Sequence, residues 1–194
     1  MKWFKGFFTA AIVALVPVLL LAGCLGAGGE AKAKADEAVD IIAAARPLME
    51  DLINLDNRFN TLGTRYTSID DTITEGKSLV DMALIDVDEL ESRYFQASGL
   101  LVEVADMGDV GDYATYAELA LQALEESLQA LRLNRELLNT VSDMLDVLPH
   151  AESEEQLSYY VDEIELLNQE ITAELDAAAA SAADADLYYE EHGL

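Results

Sequence analysis

The sequence predicts an all-α protein, an antiparallel up-down-up-down four-helix bundle with coiled-coil-like packing. Three observations predict it. First, stepping alternately by three and four residues from Ala38 through Ile41, Ala45, Leu48, Leu52, Leu55, Phe59 and onward to Tyr94, Ala97, Leu101 and Val104 meets no charged residue. A 3.5-residue period of this kind holds one apolar seam on one side of a helix and packs it by knobs into holes. Second, the same spacing recurs over Ala117 to Leu148 and again over Leu157 to Tyr189, with no strand-like alternation between. Third, glycine- and proline-bearing breaks divide the pattern into comparable lengths near 31–61, 64–106, 112–148 and 153–190. Short connections make neighbouring helices antiparallel. A long two-stranded helical hairpin folded only at 108–111 is the alternative. It is disfavoured because Ile42, Met49, Ile53, Leu79, Met82, Phe95 and Val102 widen the apolar face beyond a two-stranded seam.

At the N-terminus, residues 1–23 open with Lys2 and Lys5, continue without charge from Gly6 to Leu21, and end in small residues before the single cysteine, Cys24. This is the layout of a secretory signal peptide. The run Leu21-Ala22-Gly23-Cys24 resembles the lipobox of prokaryotic lipoproteins at each of its four positions. The resemblance covers residues 1–24 only. It implies that Leu21, Ala22 and Gly23 are read as the signal and that the Cys24 thiol receives a diacylglyceryl group, becoming the first mature residue. An uncleaved membrane helix is the competing reading, since about 20 apolar residues span a bilayer; Pro17 and the abrupt Gly-Cys ending favour processing. Either way, residues 25–194 are expected outside the cytoplasm, because Lys2 and Lys5 hold the N-terminus inside.

Residues 24–29 form a lipidated cysteine and a small, glycine-containing tether, and residues 30–194 form an acidic helical domain. Within it, Pro47 has no amide proton and should kink the first helix near Ala43 to Arg46. Gly63 offers a stop, with Thr64 or Ser68 as the cap of the next helix, although the apolar phase runs across Gly63 unbroken. Met107 to Asp112 supplies a firmer stop and an N-cap. Pro149 ends the third helix, and Ser153 with Gln156 makes a capping-box-like restart. Asn168 falls on the seam of the last helix. A seam asparagine fixes register and partner number at some cost in stability, which makes Asn168 a candidate specificity element.

Charge narrows the partners. The chain carries 11 bases and 38 acids; residues 1–23 hold Lys2 and Lys5 and no acid, which leaves 9 bases against 38. Past Arg135 there is no lysine or arginine at all. Nucleic acid is excluded as a partner, since phosphates require lysine and arginine contacts. Such acidity serves solubility, or a salt-rich habitat in which self-repulsion is screened. One cysteine permits no internal disulfide.

Catalytic motifs are missing. His150 and His192 are the only histidines, the Glu-x-x-His pattern of di-iron bundles is absent, and Asp106, Asp109 and Asp112 lack the alternate spacing of a calcium loop. No catalytic residue, metal ligand or cofactor is assigned, and the chain is not expected to be an enzyme. The expected function is that of an exported lipoprotein, anchored through Cys24 to the outer face of a membrane at the cell surface or in the periplasm. There it would act as a scaffold, spacer or docking module for a protein partner or a second copy. The alternative is a lipoprotein that binds a small ligand or cation within or at the end of the bundle.

Overall fold

The computed structural model describes residues 29–65, 68–108, 110–151, 153 and 155–194. Five α-helices account for nearly all of them: α1 (Gly29–Ala44), α2 (Arg46–Arg65), α3 (Ile69–Ala105), α4 (Asp112–Val147) and α5 (Glu155–His192). No strand occurs among the described residues.

Helices α1 and α2 are one arm bent at Ala45. There Ala45 N–H donates to Ile42 O at 3.0 Å and Leu48 N–H to Ala45 O at 3.1 Å, the tight pattern of a helix interrupted for one residue. Pro47 accounts for the bend. In the first turn of α2 its missing amide proton has no intrahelical acceptor to lose. Helix α2 continues through residue 63 to Arg65, so the stop comes later than the glycine suggested. Ser68 then caps α3, its Oγ accepting from Asp71 N–H at 3.4 Å.

After α3 the chain restarts where the sequence places the next helix. Asp112 is the first residue of α4, and the cap position belongs to Gly111, which makes no side-chain cap bond. Its φ of +52° lies in the left-handed region, which a glycine enters without a Cβ clash. At the far end α4 tightens into a 3-10 turn, Leu148–His150, containing Pro149. Helix α5 begins at Glu155, with Gln156 N–H donating to Ser153 O at 3.3 Å.

The arm α1–α2 packs on α3, α3 on α4, and α4 on α5, while α1 also reaches α4. This excludes the long hairpin, in which α2 and α3 would be collinear. Instead Arg58 on α2 pairs with Glu75 on α3 at 2.7 Å, and Tyr94 Oη on α3 donates to Met49 Sδ on α2 at 3.5 Å. The seam residues form one continuous core. From Ala38 to Val104 the described ladder positions are buried or half-buried except Ile69, which stands exposed in the first turn of α3. The widening is only partial, however. Ile42, Met49 and Leu79 enter the core, whereas Ile53, Met82, Phe95 and Val102 stay exposed.

The two ends of the core differ in side-chain size. Ala31, Ala35 and Ala38 of α1 share one end with Ala178, Ala182 and Ala185 of α5, and small residues let helix backbones approach. Leu62 and Leu145 fill the other end. There Gly76 faces Leu145; a Cβ at Gly76 would come within 2.9 Å of Leu145 Cδ1.

Ion pairs join the first four helices in sequence. Lys34 of α1 pairs with Glu103 of α3, Lys77 of α3 with Asp146 of α4, and Arg135 of α4 with both Asp88 and Glu91 of α3. Arg93 of α3 donates to Ala44 O, a carbonyl left open by the bend. Helix α5 contains no lysine or arginine and is held by apolar packing.

Candidate functional site

The residues with the sharpest sequence signal, Leu21, Ala22, Gly23 and Cys24, lie outside the described residues. What the structure gives is the place where the described helical domain begins. Helix α1 begins at Gly29, at the end of the bundle where the 105–112 turn and the C-terminus of α5 also lie. The Lys34–Glu103 pair and a hydrogen bond from Tyr188 Oη to Asp112 Oδ1 at 3.2 Å hold these segments together.

Four tyrosines gather at this end, and three of them are packing residues. Tyr113, Tyr116 and Tyr189 are buried, with the rings of Tyr116 and Tyr189 in an edge-to-face contact at 5.4 Å. The geometry suits aromatic quadrupoles. Tyr116 Oη is fully enclosed yet has no hydrogen-bond partner within the protein. Burial raises its pKa, and the nearby carboxylates of Asp186 and Asp36 push it the same way. Asp186 is itself raised to about 6, first by burial and then by repulsion from Glu190. A carboxyl lifted in this way thus lies near an enclosed phenol, and its own Oδ1 is shielded without a partner. Sequence reading missed Asp186, since nothing in Ala-Asp-Ala-Asp distinguishes its two acids.

Halfway along the bundle lies a second polar feature. Asn168 is half-buried, and its Oδ1 is shielded from solvent without a partner. Asn134 on α4 is only 3% exposed; its Nδ2 donates to Ala130 O at 3.2 Å, and its Oδ1 is likewise unpartnered. The Tyr116–Tyr189 and Asp112–Tyr188 contacts set the register of α4 against α5. Counting inward about twenty residues along each antiparallel helix brings Asn134 and Asn168 within about one turn of the same height. The sequence expectation therefore identified one of two asparagines. Its apolar series on α4 passes from Leu131 to Leu138 without an apolar step between, and Asn134 sits in that gap.

The outer surface carries the remaining candidates. Asp51, Asn54, Leu55 and Arg58 of α2 face Met82, Ile85 and Asp86 of α3 across a shallow groove. Burial, with Asp51 nearby, raises the Asp86 carboxyl. Elsewhere Phe95, Val102, Tyr159, Leu166 and Leu187 are large apolar side chains left in solvent. At the tip opposite the tether, Tyr159 and Tyr160 meet edge to face at 5.5 Å.

Among the described residues no group of three or more histidine, cysteine or acidic side chains is arranged to hold a metal. Nor is any helix among them long and apolar enough to cross a membrane. Comparison with protein-family models, with curated proteins and with solved structures finds no match.

Proposed function

We propose that the chain is a membrane-anchored, extracytoplasmic lipoprotein whose helical domain works without catalysis, as a spacer and docking module for another exported protein. The observation that carries this reading is the four-position run Leu21-Ala22-Gly23-Cys24 behind an uncharged stretch, placed directly before the domain. From Cys24 to Gly29 the chain reaches at most about 17 Å, so a lipid on Cys24 would hold one end of the bundle close to the membrane. Helices of 36 to 38 residues then extend the other end by about 55 Å. Two acyl chains give durable anchorage where one gives reversible binding. Exposed apolar side chains on α3 and α5 support docking, since they serve no packing purpose in the fold.

Metabolic labelling with a tagged fatty acid tests the anchor. The unaltered chain is expected to take up label and to sediment with membranes, while Cys24→Ser takes up none and releases an intact helical domain. Label retained by Cys24→Ser overturns the anchor. Crosslinking in detergent extracts tests docking, and recovery of the chain alone at a monomeric mass overturns it.

The ligand-binding alternative draws on one observation, the unpartnered amide oxygens of Asn134 and Asn168, at similar heights in mid-bundle. They would accept hydrogen bonds from a small donor or hold a cation weakly. Thermal stabilisation of the extracted protein by a ligand, lost on Asn134→Leu, is the result that would favour it.

A further inference from the structure

Helix α5 has two apolar faces, and the fold uses one. Leu157, Ile164, Ile171, Ala178 and Ala185 point into the core. Two residues further on in each heptad, Tyr159, Leu166, Ala173, Ala180 and Leu187 are all exposed, with Tyr159 at 67%, Leu166 at 50% and Leu187 at 54%. Two residues turn a helix by about 200°, so this second series lies on the side away from the core. An outward face of a bundle needs no apolar repeat, and one that recurs every seven residues runs as a narrow stripe along the helix, against which the apolar face of another helix can lie.

The flanks of the strip say which helix. Three or four residues from each strip position lie Asp162, Asp176 and Glu190 on one side and Glu163, Glu170 and Asp184 on the other. These acids line both edges of the stripe, and neither edge carries a base. Of the bases on the other helices, Lys34, Lys77 and Arg135 are committed to carboxylates on α3 and α4, and Arg132 of α4 donates to Gln129 Oε1 on its own helix at 3.2 Å. A second copy of α5 would set acid against acid along both flanks, and an anionic lipid surface would be repelled in the same way. Ala173 and Ala180 at the centre leave room for a helix backbone to approach, between larger anchors at either end.

We propose that the outward face of α5 docks a lysine- or arginine-flanked amphipathic helix of a protein partner, about 28 residues long to match the strip's span of about 42 Å. This rests on the docking function proposed above and names its surface and the chemistry of its partner.

The test uses the intact chain extracted in mild detergent and three synthetic helical peptides of about 28 residues. One has leucines at heptad spacing flanked by lysines, one the same leucines flanked by glutamates, and one the lysine peptide's composition with its leucines scrambled. Fluorescence anisotropy at about 0.05 M and about 1 M NaCl reads the binding. The heptad lysine peptide is expected to bind at low salt and to weaken at high salt. The scrambled peptide should bind at least about tenfold more weakly, and the glutamate peptide not at all. Leu166→Glu combined with Leu187→Glu should lower affinity for the heptad lysine peptide at least about tenfold. Both side chains are exposed, so helicity by circular dichroism should not change. Equal binding of the scrambled peptide reduces the effect to bulk charge and overturns the proposal. So does a dimer, or binding to neutral lipid vesicles, that disappears in the double variant, since the strip would then serve a second copy or a lipid. A partner crosslinked in extracts to α3 near Phe95 and Val102 would sink this proposal while leaving the docking function standing.

Discussion

At the level of single residues, Asp186 and the helical glycines give the clearest outcomes. A carboxyl raised to about 6 in the folded protein holds its proton more tightly there than in the unfolded chain, whose value is about 3.9. Between those two values the native state binds more protons, so this group's contribution to stability falls as pH rises and is constant above about 6. Asp186→Asn removes that slope and should stabilise the protein at pH 7 by about 1 kcal/mol, allowing for solvent screening of a half-exposed group. Denaturant titrations at pH 4.5 and 7 read it; an unchanged slope would mean that Asp186 ionises freely. Gly76 and Gly99 both lie in α3 but differ in surroundings. Nothing lies within 4 Å of a Cβ at Gly99, so Gly99→Ala should gain about 0.5–1 kcal/mol of helix propensity. At Gly76 the same change drives a methyl into the buried Leu145, and overpacking of about 1–3 kcal/mol should cancel or exceed the gain. Thermal midpoints moving up together would show that the core yields at Leu145.

Individual helices show what the residue pattern could and could not reveal. The ladder of α5 was legible nearly residue by residue, because a helix packed on one side buries one stripe and the stripe has a period. Helix α4 was legible only in part. It is covered by α3, α5 and α1, so Tyr116, Ala123, Ser127, Leu133 and Asn134 are buried outside the stripe that periodicity picks out. Asn134 was hidden for that reason, while Asn168 stood on a seam where its polarity was conspicuous. Replacing both asparagines with leucine should raise stability by about 1–3 kcal/mol, since it removes two shielded amide oxygens that have no partner. It should also broaden the distribution of species in sedimentation, because the polar layer that penalises shifted pairings is gone. A more stable protein with an unchanged sedimentation profile would leave the layer without a role in register. The cap of α3 is a smaller effect in the same class: Ser68→Ala should cost about 1 kcal/mol by leaving the Asp71 amide without its acceptor.

Taken whole, the molecule follows its sequence in fold class and in chain path, and the reasons are general. Apolar period and break position determine which faces meet and where the chain reverses. The choice between bundle and hairpin was less secure, since both satisfy the same spacing and only the meeting of α2 with α3 separates them. The candidate sites were legible unevenly. The run Leu21 to Cys24 that resembles a lipobox is a local pattern readable without a fold, while the α5 strip is recognisable only once the opposite face is known to be filled. Charge acts at this scale as well. With a formal charge of −27, self-repulsion opposes compactness, and the Debye length falls from about 10 Å at 0.1 M salt to about 3 Å at 1 M. The thermal midpoint should therefore climb by several degrees between those concentrations; a flat or falling curve would show that the inter-helix ion pairs outweigh the excess of acid.

The absence of any lysine or arginine on α5 gives that salt response an address. Where α1 to α4 meet, added salt screens attraction along with repulsion. Along α5 it screens repulsion only, while apolar packing on α4 is left in place or strengthened. Dilution should thus loosen the fourth arm ahead of the other three. Amide hydrogen exchange read residue by residue would register this as protection that rises steeply with salt over residues 155–192 and scarcely changes over α3. Ionic strength would then adjust one side of the bundle, the side that carries the outward strip, without melting the rest.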